Sequence, residues 1–153
     1  MNDEFTYAIL FSLVQANSSF IIHHSSFNFM FRSIYELFLG QNNDPIYVDE
    51  IFAPVGTTTT LVALILAAIF YVGLGRWKAI FHRTSHWVIT LVVTALVGFF
   101  YATYYAKDRT GADDMDSYMT SFGGVNALLA VILFFLFSLA LKNVSIFAKR
   151  TPF

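Results

Sequence analysis

Cysteine is absent from the chain, which excludes disulfides, thiol nucleophiles and thiolate metal sites. Charge is scarce as well: Asp, Glu, Lys and Arg together make up 12% of the residues. Three segments, Ala53–Gly75, Trp87–Ala106 and Ser121–Leu141, contain none of these four and no His. Without an ionisable side chain in them, a proton relay, a gating charge or a coupled-ion site has no obvious carrier. Also missing are the phosphate-binding loop, the G-x-S-x-G nucleophile turn and the glycine-rich dinucleotide fingerprint. Nucleic-acid binding is not expected, because the nine basic residues are few and mostly flank the apolar segments. No catalytic or cofactor-binding residue is assigned on this basis, and the sequence by itself does not disclose a biological role.

What is present is apolar. Each of the three uncharged segments is about 20 residues long, the length a helix needs to cross a ~30 Å hydrocarbon core at ~1.5 Å per residue. The expected fold is an all-α integral membrane protein with three transmembrane helices at 53–75, 87–106 and 121–141. It divides into an N-terminal part, residues 1–52, and a three-helix membrane domain, residues 53–153, with no repeat and no separate soluble domain.

The two signs of charge are sorted between the ends of these helices. Arg76, Lys78 and Arg83 lie in the 76–86 link and Lys142, Lys149 and Arg150 in the C-terminal tail, with no acid in either. All ten acids lie in residues 1–52 or in the 107–120 loop, together with only Arg32, Lys107 and Arg109. Short loops rich in Lys and Arg stay cytoplasmic. The link and the tail are therefore expected to face inward, and the acidic segments outward. Arg76, Lys78, Arg83, Lys149 and Arg150 are candidates to hold anionic lipid headgroups or an acidic partner surface. A bacterial inner membrane fits this pattern best, and a mitochondrial inner membrane fits it too.

In the N-terminal part, Phe5–Ile22 carries Ser12, Gln15 and Ser19 at helical spacing and reads as an interfacial or protein-packed helix. A fourth span is the alternative. Its acidic start, Met1–Glu4, lacks the basic character of a secretory signal, so cleavage is not expected. Phe27–Leu39 reads as a second amphipathic helix with Asn28, Arg32 and Glu36 in one stripe, an Arg32–Glu36 pair, and Gly40 as C-cap. Its apolar face must rest on headgroups, on the spans or on another subunit. Gln41–Asp49 reads as a loop, and Pro54 and Gly56 as the start of the first span.

Helix contacts are expected at stripes of small residues, which let backbones approach in lipid. The candidates are Thr90, Thr94 and Gly98 in the second span and Gly123, Ala127 and Ala130 in the third. The 18 phenylalanines and 8 tyrosines suggest aromatic belts, with Trp77 and Trp87 at the inner surface. Thr57–Thr60 and Asn126 could line a vestibule, but threonine hydroxyls that bond their own helix carbonyls explain them more simply. His82 and His86 share one helix face yet have no carboxylate nearby, His23 and His24 lack a ligand spacing, and Asp113, Asp114 and Asp116 read as a solvated loop. No metal site is assigned. Two functional classes remain. One is a structural or accessory subunit packed against other subunits, and the other is a pore built between copies of the chain.

The charge pattern generates a direct test. Single cysteines at Ser85, Asp114 and Ser145 are expected to react with an impermeant reagent in intact cells only at position 114. Reaction at 85 or 145 instead would reverse the orientation.

Overall fold

The computed structural model describes residues 28–74 and 84–142. Phe5–Ile22, His23, His24, Arg76, Trp77, Lys78, His82, Arg83, Lys149 and Arg150 lie outside the described residues, so the readings placed on them stay as expectations. Within the described residues the chain is helical and has no strand. It contains α1 (residues 28–39), α2 (Phe52–Ala68), α3 (Thr84–Thr110) and α4 (Ser117–Leu141). Wider π-helical turns, Ile46–Ile51 and Ile69–Leu74, extend α2 at both ends. Three rods, Ile46–Gly73, Thr84–Thr110 and Ser117–Leu141, are long and apolar enough to cross a membrane. The protein is an all-α membrane protein, with three such helices among the described residues.

The spans are longer than the uncharged segments. The expected loop at 41–49 is only four residues, 41–44, because the helix begins at Pro45. Proline suits a first helical position, where its missing N–H costs nothing. Ahead of it, Asp44 Oδ1 accepts from the Ile46 amide at 2.9 Å and Asn42 Oδ1 from the Asp44 amide at 2.9 Å. The Asp-Pro pair is therefore the helix start, whereas Pro54 and Gly56 lie inside the rod. The π-helical turn sits just before Pro54, which has no amide to give to the regular ladder. α3 runs past Ala106 through Lys107, Asp108 and Arg109 and stops at Gly111, whose φ of 64° ends the helix. Asp116 then caps α4 by accepting from the Met119 amide at 2.6 Å.

The 41–44 and 111–116 turns lie at the same end of the bundle, where Arg109 approaches Glu50 at 3.9 Å and stacks on Tyr105 at 5.3 Å. This end is called the loop end below. α4 is central, with its most extensive contact to α3 and its next to α2. α1 runs antiparallel to α2: Tyr35 stacks on Phe52, while Phe31, one turn earlier, abuts Gly56, one turn further down. Arg32 Nε donates to Glu36 Oε1 at 2.8 Å, and Gly40, at φ 83°, closes α1 with its amide on Glu36 O. Of the three supports open to this helix, the Phe31/Tyr35 face uses the spans.

Two buried clusters hold the bundle. Near the loop end, Phe31, Tyr35, Tyr47, Phe52, Met119 and Phe122 interlock with Ala102 and Ala106. Toward the other end, Trp87, Phe134, Phe70 and Tyr71 pack with Ala63 and Ala67. Trp87 is thus a core residue whose indole N–H donates to Ser138 Oγ at 3.1 Å, and not a residue of a headgroup belt. The alternative to that bond is an unpaired donor in an apolar interior, which is costly enough to draw the ring inward. Bulky aliphatic side chains instead point outward along every span, among them Leu61, Ile65, Val93, Leu96, Ile132 and Leu136.

Small residues occupy the helix contacts. A Cβ on Gly98 would sit 3.0 Å from Ala130 Cβ and 3.4 Å from Asn126 O, and one on Gly123 would collide with Thr103. Gly98 and Gly123 therefore lie at the α3–α4 contact within one chain. Gly98→Leu is expected to destabilise the chain itself, by about 1–3 kcal/mol of overpacking strain. A lower thermal transition of purified protein in detergent checks this, and an unchanged transition would place Gly98 outside any tight contact.

Candidate functional site

A lone asparagine in an apolar span is the least comfortable residue in the described chain, and the structure builds its main polar site around it. Asn126 is completely buried in α4. Its Nδ2 donates to Gly98 O of α3 at 2.8 Å and to Thr59 Oγ1 of α2 at 2.9 Å. Its Oδ1 accepts from Tyr35 OH of α1 at 2.7 Å and from Thr59 Oγ1 at 3.1 Å. A carboxamide has two N–H donors and two strong acceptor positions, and all four are used. The amide orientation is determined chemically, because Gly98 O can only accept and must face the nitrogen.

Each partner is placed by the local fold. Glycine at 98 leaves no side chain between the α3 backbone and the Asn126 amide. Thr59 is buried on the inner face of α2, one turn below Val55. Tyr35 reaches inward from α1 between Phe52 and Phe122, at centroid distances of 5.2 and 4.8 Å. Burial, and secondarily Tyr101, pushes the Tyr35 phenol above its ordinary range, so it acts as a neutral donor.

Most of the remaining Ser and Thr side chains of the spans bond within the bundle, whereas the buried Tyr47 and Tyr118 hydroxyls at the loop end have no partner among the described residues. Thr60, Thr90, Thr94 and Thr103 donate to the carbonyls four residues back, at Gly56, His86, Thr90 and Phe99. Ser121 does the same to Ser117. Tyr101 OH donates to Thr58 Oγ1 at 3.3 Å. Thr57 is exposed. The carbonyl-bonding reading of the threonines accounts for Thr60, and Thr59 departs from it by joining Asn126. A cavity of about 60 Å³ adjoins the junction, lined by Thr58, Thr59, Val62, Thr94, Val97, Gly98, Tyr101 and Ala130. It falls well below the ~300 Å³ at which small-molecule sites begin.

Of the six expected contact residues, Thr94, Gly98, Gly123 and Ala130 are buried, whereas Thr90 and Ala127 are partly exposed. Gly98 and Ala130 border the Asn126 junction directly. Tyr35 and the joining of Thr59 to Asn126 were not anticipated from sequence. The signal available was Asn126 itself, since a buried amide in a membrane needs partners. Asp113 and Asp114 are exposed, and among the described residues no three His, Asp or Glu side chains converge. Comparison with protein families, curated proteins and solved structures gives no match for this chain.

The arrangement joins four helices through one amide. Hydrogen bonds between membrane helices contribute on average ~0.6 kcal/mol each, with a maximum near 1.7. Tyr35→Phe and Asn126→Leu are expected each to lower stability, and to be coupled by about 0.6–1.7 kcal/mol in a double-mutant cycle. Unfolding in mixed detergent measures this, and additive effects would mean that the Tyr35–Asn126 bond contributes nothing.

Proposed function

We propose that the chain is a small non-enzymatic membrane protein that serves as a structural or accessory subunit, or anchor, of a larger membrane assembly. The observation that carries this reading is the internal use of its polar side chains. A conducting path needs hydroxyls or amides along its wall. Thr59, Thr60, Thr90, Thr94, Thr103, Ser121, Asn126 and Ser138 all bond within the chain, and five of them (Thr59, Thr94, Thr103, Asn126 and Ser138) are buried. The outward surface of the spans is dominated by bulky apolar side chains, which suit lipid or a neighbouring subunit.

In this reading the partners are membrane lipids and other membrane subunits or further copies of the chain. Arg76, Lys78, Arg83, Lys149 and Arg150 face anionic headgroups on the cytoplasmic side, with the C-terminus on that side. The bacterial inner membrane is the favoured location, with the mitochondrial inner membrane and its matrix as the equivalent. Neither catalysis nor a bound cofactor is part of the proposal.

Purified protein in a planar bilayer separates the subunit from the pore. The expected result is electrical silence, together with a defined hetero-complex when the native membrane is extracted gently and weighed intact. Reproducible single-channel currents whose size changes on Thr94→Val would replace the subunit reading with an oligomeric pore.

A further inference from the structure

We infer that the first two turns of α1 lie inside the hydrocarbon layer, with Phe29 and Met30 against lipid acyl chains. The depth follows from the register of the helices. Toward the loop end, the segments Ala53–Gly75, Trp87–Ala106 and Ser121–Leu141 end at a common level beside Phe52, Ala106 and Phe122, which share one buried cluster. From Phe122 to Leu141 α4 has the ~20 residues that cross a hydrocarbon core. The Tyr35 ring packs on Phe52 and Phe122, so the middle of α1 sits at that border. Phe31 abuts Gly56, one turn deeper than Phe52. Phe29, six residues before Tyr35, then lies ~9 Å inside the border at ~1.5 Å per residue.

At that depth the outward face of α1 meets chains, not water. Phe29 is 72% exposed and Met30 44%. Ser33 and Arg32, two of the polar residues of these turns, suit such a place. Ser33 Oγ donates to its own helix at Phe29 O, 2.9 Å away. Arg32 runs one turn toward the loop end to reach Glu36, as a snorkelling side chain does. A protein neighbour is the poorer match. Helix faces that meet other helices in membranes carry small residues, and the exposed face of these two turns carries the bulky Phe29 and Met30 instead. Phe29, Met30, Leu37 and Phe38 are all bulky and exposed, as are Leu61 and Ile65 of α2.

The native chain has no cysteine, so nitroxide labels at single cysteines report depth cleanly. The full chain is reconstituted in phosphatidylcholine vesicles with a label at Phe29, Leu37, Leu61 or Asp114, and relaxation by oxygen is compared with that by a water-soluble nickel chelate. The expected oxygen-to-nickel ratio at Phe29 is high and second only to that at Leu61, which lies nine residues and ~14 Å below Phe52. It exceeds that at Leu37, eight residues and ~12 Å nearer the surface. Asp114 is expected to be nickel-accessible. A ratio at Phe29 as low as at Asp114 would put this face in water. Protection of Phe29 from both reagents would mean that a partner or a second copy covers it. Either result overturns the inference. A label at Met30 repeats the measurement if Phe29→Cys lowers the thermal transition.

Discussion

In a hydrocarbon layer an unpaired carboxamide costs several kcal/mol, because neither water nor lipid can replace its hydrogen bonds. Asn126 therefore sets terms for its neighbours. Its nitrogen requires the bare backbone of Gly98, its oxygen requires the Tyr35 hydroxyl, and Thr59 spans both ends of the amide. Four helices meet at this one group, and a shift of any of them by an ångström would leave a donor or acceptor unmet. Apolar contacts alone tolerate sliding, whereas a fully used amide selects a register. Uniqueness of arrangement, more than raw stability, is what such a residue supplies.

Packing around the junction follows from the solvent. Lipid is as apolar as leucine, so burying leucine between helices gains little. Close approach gains more, and the buried positions are accordingly Ala63, Ala67, Ala102, Ala106, Gly98, Gly123 and Ala130, interleaved with large rings. Rings fill the wide gaps: Tyr35, Phe52 and Phe122 near the loop end, Phe134 and Trp87 further down. Most of the large aliphatic residues lie outside, with Ile51 and Val55 buried near the loop end. The surface ion pair between Arg109 and Glu50, at 3.9 Å and about half exposed on both sides, adds little to this.

Much of this was legible in the sequence because it rests on periodicity and solvent. Three uncharged runs of span length gave three helices, and α1 with its Arg32–Glu36 pair and Gly40 cap followed from spacing. The helix ends were less legible. A polar Gln41–Asp49 looked like a loop, yet Asp44-Pro45 is a helix start, and Lys107 to Arg109 remain helical because charge at a membrane surface does not break a helix. Trp87 was misplaced at the surface because composition cannot reveal that Ser138 waits 51 residues away. Asn126 was visible as an oddity, but its partners come from three other helices, and no local pattern encodes which Tyr or Thr will meet it. The threonines divided for the same reason: most bond their own helix, and only tertiary contact identifies Thr58, which meets Tyr101, and Thr59, which meets Asn126, as departures.

Among the described residues, most Ser, Thr and Asn side chains of the spans bond within the chain, and the surface of the spans is apolar. The proposed subunit reading rests on that combination. The central claim is that the Asn126 amide is buried and shared by four helices. Hydrogen exchange of asparagine side-chain amides, by solid-state NMR on asparagine-labelled protein in bilayers, tests this most directly. The account predicts that the Asn126 amide protons exchange far more slowly than those of Asn42 and Asn43 in the loop, and that they show through-space contacts to Tyr35 and Gly98. Exchange of Asn126 as fast as that of the loop asparagines would contradict it.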